Sequence, residues 1–299
     1  MSNRDKVMHE MNIQKVSAAQ KVVMTLVKVV TYGFLLAMAL VVLFPFYWMV
    51  MAATNKSVDV TKGTLAFGTY FFENLKSVLN SDLLYLNSYK NSIVITLITT
   101  ILAMIVSSAA GYAFVVYKTK GRERIFDFIF ASMMVPFAAL MVPLFKLFSN
   151  FNKLGLGFIG LNSPGAVIIT GVATAFLIFF FKQNTATFPK DLIEAARIDG
   201  LGEIRIFLQI YVPTMKSTYA AAIVVTFMNV WNSYLWPLIA LQSGNKRTLP
   251  LILSAMGASY TPDYGMMMCA VVLATIPTAA IFFLMQKQFV AGMTGAVKG

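Results

Sequence analysis

The chain has 299 residues, 58% of them hydrophobic and 12% charged, with a mean hydropathy of +0.73; soluble domains carry about a quarter charged residues. A formal charge of +12 would suit nucleic acid, but the lysines and arginines cluster between apolar runs rather than along one polar face, which excludes that partner. One cysteine and one histidine exclude an internal disulfide and a Cys/His metal site, and Cys269 reads as a small buried apolar residue.

Residues 1–28 are polar and mildly basic, and the apolar run that follows is longer than a cleaved leader's, so it is expected to stay as a membrane anchor. Charged residues then punctuate the chain into six uncharged stretches: 29–55, 91–117, 128–145, 154–181, 217–245 and 264–286. Each supplies the roughly 20 apolar residues that cross about 30 Å of hydrocarbon, the third only with Asp127 or Lys146 at an interface. Without water to satisfy backbone groups the spans must be helical, and no ten-residue alternation of a barrel is present. The expectation is an all-α polytopic membrane protein with six transmembrane helices over 29–288 and a tail at 289–299. A further uncharged stretch, 248–262, is short and rich in Pro, Gly and Ser, and is expected to be an extracytoplasmic loop.

With an inside N-terminus, 16 of the 24 lysines and arginines fall on the inner side, the tight cluster at 118–124 weighing most in the positive-inside rule. Both termini are thus expected in the cytoplasm. No span carries a charge near its middle, which argues against a proton- or ion-coupled carrier. No G-x-x-x-x-G-K-[ST] loop is present, so uphill transport would draw its energy from another subunit. The run GLGFIG at 155–160 matches a dinucleotide fingerprint in letters, but it lacks the strand and βαβ setting that motif needs and reads as a loop.

Small residues at Ser107, Ala110, Gly111, Gly171, Ala175 and 220–222 allow close helix approach. Pro45, Pro136, Pro143 and Pro277 are expected to kink their helices. In NVWNSYLWPL, residues 229–238, Trp231 and Trp236 read as interfacial anchors. Asn229 and Asn232 share a helix face and, with Tyr234, suit either a bond to another helix or contact with a hydroxylated solute lining a path.

The segment 183–213, between the fourth and fifth spans, differs from everything around it. Pro189 and Asp191 suit the start of a short helix and Gly200 its stop. Pairs Lys190/Glu194 and Glu194/Arg197 solvate one side, while Ala195 and Ala196 leave the other bare enough for a partner to approach. Ile204, Phe207, Leu208 and Tyr211 then form one apolar stripe, ended by Pro213. Two readings stay open on pattern alone: a docking element of the helix-in-groove type, or an interfacial connector with no partner.

Glu194-Ala195-Ala196, then Gly200, Ile210, Val212 and Pro213, resembles the E-A-A signature of bacterial ABC-importer permeases, Val212 replacing the usual leucine. Asn74-Leu75, Asn91-Ser92, Asp199, the run from Trp231 to Leu238 and the ending FVAGMTGAVKG extend the resemblance, over nearly the whole chain, to the MalG-like permeases of carbohydrate importers; Ser233 stands where many relatives carry an acid. The resemblance implies a bacterial plasma-membrane subunit that is not itself an enzyme. It would pair with a second, MalF-like permease, with two cytoplasmic ATPase subunits and with an extracytoplasmic sugar-binding protein. It implies no cofactor on this chain, ATP and Mg being held by the ATPases. Glu194, Ala195, Ala196, Asp199 and Gly200 would dock on an ATPase, braced by Ile210 and Pro213, and the tail at Val297, Lys298 and Gly299 would reach the ATPase pair. Permeases of this kind also carry glycerol phosphate, amino acids or polyamines, and a self-sufficient channel or carrier is the remaining class.

Overall fold

The computed structural model describes residues 18–295, with side chains from 22 to 287. Its elements in chain order begin with α1 (Ala18–Ala53), α2 (Ser57–Thr61), α3 (Phe71–Leu79), α4 (Tyr85–Val116), α5 (Lys120–Ala131) and α6 (Phe137–Lys153). The chain continues through α7 (Pro164–Val172), α8 (Ala175–Ala186), α9 (Asp191–Ile198), α10 (Glu203–Ile206) and α11 (Val212–Thr214). It ends with α12 (Lys216–Trp231), α13 (Leu235–Ala240), α14 (Leu249–Gly257) and α15 (Tyr264–Gly295). The described residues are all-helical, as expected.

By length and apolarity the described residues give four to five candidate spans, and the expected six is not confirmed. Four helices are long and apolar enough to cross a membrane: Val22–Ala53, Tyr85–Val116, Pro164–Ala186 and Tyr264–Lys287. A fifth arises if the pair Lys120–Met134 and Phe137–Lys153 counts as one span, but it bends by 107°. That bend falls in the middle of the stretch expected at 128–145. Its cause is Pro136, which caps α6 in an extended conformation (ψ 134°) and forbids helical geometry to Val135 before it. Pro45, Pro143 and Pro277, by contrast, sit inside single helices. The expected fifth span is divided too: α12 stops after 16 residues, and a non-helical link over 232–234 precedes the six-residue α13.

Other boundaries moved because charge marks the edge of the hydrocarbon, not the end of a helix. α1 begins at Ala18, so Lys21 and Lys28 are helical, and α4 begins at Tyr85 and takes in Lys90. The stretch 248–262 holds α14, whose Leu249, Leu251, Ile252 and Met256 are buried; Pro250 starts a helix here as the first-turn preference allows. Cys269 is buried in the same core as α14. GLGFIG is a run of turns between α6 and α7.

α4 is the central post. One of its faces runs through buried Ser92, Thr96, Thr99, Ala103, Ser107 and Gly111, and α7, α8 and α12 lean on it. A Cβ on Gly111 would lie 2.6 Å from Cβ of Phe181 and 2.8 Å from the Lys182 nitrogen. Only a hydrogen fits that crossing, which is how small residues hold helices together where apolar surface alone gives no preference for protein over lipid. At the far end of α1, Asn74 donates to the carbonyls of Ala53 and Asn55, 2.9 Å each. It satisfies backbone acceptors that the helix terminus leaves open.

Candidate functional site

The first candidate region is the segment after α8. α9 ends as the sequence predicts: Gly200 has φ +80°, its N–H donates to Arg197 O at 3.0 Å, and the Leu201 N–H donates to Ala196 O at 3.0 Å. This double bond is a Schellman stop. Nothing lies within 4 Å of where a Gly200 Cβ would stand, so the glycine is required by its backbone angle alone.

The faces of α9 differ from the sequence expectation. Ala196 is 3% exposed and buried with Ile193 against the bundle, so it belongs to the braced side rather than the bare one. The open side carries Leu192, Ala195, Ile198 and Asp199, with Ile198 87% exposed. Lys190 and Glu194 form no ion pair; among the described residues Arg197 pairs with Glu203 instead, Nε to Oε1 at 2.7 Å and a second guanidinium nitrogen to Oε2 at 3.2 Å. The Tyr117 hydroxyl, just beyond α4, donates to the same carboxylate. Arg197 first and Tyr117 second hold the Glu203 carboxyl below its usual range, while burial and the bond to Glu203 push Tyr117 up to about 12.

Beneath α9 lies a knot of rings. Tyr211 is fully buried and packs against Tyr112 at 4.8 Å, Phe207 at 5.3 Å and Phe188 at 5.4 Å between ring centroids. Its hydroxyl shares a 2.6 Å bond with Thr185, which meets the need of a buried polar tip. The apolar stripe beyond Gly200 therefore splits: Tyr211 and Phe207 turn inward, Ile204 and Leu208 outward. A π turn over Phe207–Tyr211 causes the split, the Val212 N–H reaching back five residues to Phe207 O. Pro213, which has no N–H to give, follows directly, and Ile210 is half-buried beside the rings. Tyr112, Tyr117, Thr185 and Glu203 went unremarked in the sequence, where only the aromatic pair at the end of the second stretch hinted at them.

The second region is a cavity of about 790 Å³ that brings Asn229, Asn232 and Tyr234 together with Thr170, Thr226 and Phe176. Neither asparagine reaches another helix: Asn232 donates to Met228 O of its own helix at 2.9 Å, and Tyr234 shares a 3.2 Å bond with Ser254. The tryptophans are not interfacial anchors. Both are 4% exposed, the Trp231 indole donating to Ala274 O at 3.2 Å and that of Trp236 to Ala166 O at 3.0 Å. Val297, Lys298 and Gly299 lie outside the described residues.

The model of the family described as "Binding-protein-dependent transport system inner membrane component" matches residues 115–295, which takes in both regions. The lactose transport system permease protein LacG of Rhizobium radiobacter is 45% identical, covering 90% of this chain and 96% of its own. The arabinooligosaccharides transport system permease protein AraQ of Bacillus subtilis is 36% identical over 89% and 94%. The sn-glycerol-3-phosphate transport system permease protein UgpE of Salmonella typhimurium is 32% identical over 86% and 92%. A chain of a bacterial ABC transporter involved in alginate import shares the fold, with a TM-score of 0.75 at 23% identity, covering 89% of this chain and 97% of that one. The chain therefore belongs to the binding-protein-dependent transport system inner membrane components, as a multi-pass ABC transporter permease subunit that transports rather than catalyses.

Proposed function

We propose that the chain is one permease of an ATP-driven importer of neutral sugars or oligosaccharides, and that α9 with Gly200 is the part a cytoplasmic ATPase grips. The observation that carries the docking reading is the asymmetry of α9. Its inner face is locked by Ile193 and Ala196, its end is fixed by the Gly200 stop, and its outer face carries the apolar Ile198, 87% exposed, with Leu192 43% exposed beside it. An exposed apolar side chain at the tip of a rigid, polar-flanked helix suits a groove on a partner. Glu194, Ala195 and Asp199 complete that face, and Ile210 and Pro213 act from behind, through the π turn.

The segment 18–53 would sit in lipid and beside a second permease. Val22 to Phe46 are exposed along their whole length, with burial confined to the end at Met51–Ala53. Both termini would lie in the cytoplasm on the charge asymmetry, and an extracytoplasmic binding protein would deliver the cargo.

The carbohydrate reading draws on the sugar-named relatives and on the absence of charge from the cavity wall. A phosphate cargo like that in UgpE's name would favour cationic side chains there, and the wall has none. The docking test is Gly200→Trp in the assembled importer, read by ATPase pull-down and by uptake. Both fall while membrane insertion persists; survival of both would remove α9 from the docking role.

A further inference from the structure

Three interruptions of helical geometry meet at the 790 Å³ cavity. The first is the 107° bend at Val135–Pro136, whose Phe137 lines it. The second is the gap between α7 and α8, where Ala173 leaves the helix (ψ 63°), Thr174 caps the next, and Gly171 and Thr174 line the wall. The third is the link 232–234, which contributes all three of its residues. Within a membrane, non-helical backbone persists only where protein buries it or a water-filled space hydrates it, and discontinuous helices around a cavity are how transporters expose backbone and side-chain dipoles to a solute. One break would be ordinary; three converging on one space are a constructed site.

The wall has the chemistry of one solute class. It offers the amides of Asn229 and Asn232, the hydroxyls of Thr170, Thr226 and Tyr234, and the ring of Phe176, which is 44% exposed, with no acid and no base. Among the described residues, the side chains of Asn229 and Thr226 make no hydrogen bond, Asn229 being exposed and Thr226 8% exposed. A nearly buried hydroxyl with open valences beside an exposed amide suits a ligand rich in hydroxyls, and an exposed aromatic face suits the C–H face of a sugar ring. The volume lies within the roughly 300–1,000 Å³ of small-molecule sites.

We infer that this cavity is a sugar subsite carried by this chain itself: Asn229, Asn232 and Thr226 bond the hydroxyls of a neutral sugar ring, and Phe176 stacks on it. The inference rests on the carbohydrate-importer reading above. It is tested in the complete importer, reconstituted with its partner subunits and binding protein, using lactose, arabinobiose and raffinose as probes and sn-glycerol 3-phosphate as the anionic control. Wild type takes up at least one of the sugars; uptake of the phosphate and of no sugar overturns the carbohydrate reading and the subsite together. Given sugar uptake, Asn229→Ala and Thr226→Val each lower it about tenfold, the size of one or two hydrogen bonds lost, while ATP hydrolysis stimulated by the binding protein stays within about twofold. That split is the readout a merely structural role would not give, and Leu238→Ala, outside the cavity, is the neutral control. If sugar uptake per ATP is unchanged in both variants, the subsite is overturned and the importer reading stands. Asn229→Trp, which fills the space, abolishes uptake where it assembles; where it does not, the two smaller variants decide.

Discussion

The ring knot under α9 and the cavity among the helix breaks are made of similar residues under opposite rules. In the knot, Tyr211 is fully buried and its hydroxyl bonded, and Glu203 answers both Arg197 and Tyr117. In the cavity, Asn229 and Thr226 remain open and the backbone leaves the helix three times. A closed, densely packed cluster has one arrangement and passes displacement on as a rigid body, and packing alone holds the Tyr112 ring here, whose buried hydroxyl has no hydrogen-bond partner among the described residues. An open one keeps its bonding capacity for something outside the chain.

The largest expected effect strikes the packed region. Tyr211→Ala removes a fully buried ring and one of the two hydrogen bonds of the Thr185 hydroxyl, which keeps its bond to Phe181 O, costing about 3–5 kcal/mol; unfolding of the purified importer in detergent measures it, and Tyr211→Phe loses only about 1 kcal/mol. If Tyr211→Ala were neutral, the knot would be no more rigid than the cavity. Gly111→Ala comes next, since its methyl group meets Phe181 and the Lys182 backbone, and overpacking of this kind costs about 1–3 kcal/mol. A matching loss of assembled complex on size exclusion is the check.

Gly200→Ala follows, with about 1–2 kcal/mol of left-handed strain and no clash. It loosens the end of α9 and weakens ATPase capture while costing less stability than the clash at Gly111, which separates backbone angle from packing. The smallest effect belongs to Glu203. Its carboxyl is held below the usual range by Arg197 first and Tyr117 second, so the link is intact at neutral pH and is lost only as pH falls through that lowered value. The pair is solvent-screened, so Glu203→Gln at neutral pH, where the wild-type link is whole, changes ATPase coupling by less than about twofold. A large pH response above the ordinary carboxylate range would contradict this ordering.

The helix at 191–198 and its stop were legible in the sequence because their signals are local: Gly200 needs only its own φ, and the polar helix stands out against apolar surroundings. What it hid was long-range. Ala196 faces the bundle and not a partner because Ile193, Ile206 and Tyr211 gather behind it, and no spacing rule reports that. The breaks at Pro136 and at 232–234 were hidden because hydropathy averages over them, whereas a backbone interruption depends on one proline or on a cavity that neighbours create. Trp231 and Trp236 were misread for a related reason: an aromatic near a span end anchors at an interface by default, and only the carbonyls of Ala274 and Ala166 opposite their indoles turn them inward.

Those two indoles stand on either side of the 232–234 link, each tied to a different neighbouring helix, and the chain has three tryptophans in all. Any turnover step that pulls the link open would hydrate one ring or break its N–H bond, and its emission would move to longer wavelength. The protein thus comes with an optical gauge at the joint most in need of watching; Trp48→Phe would remove the one other indole of this chain without attaching a label.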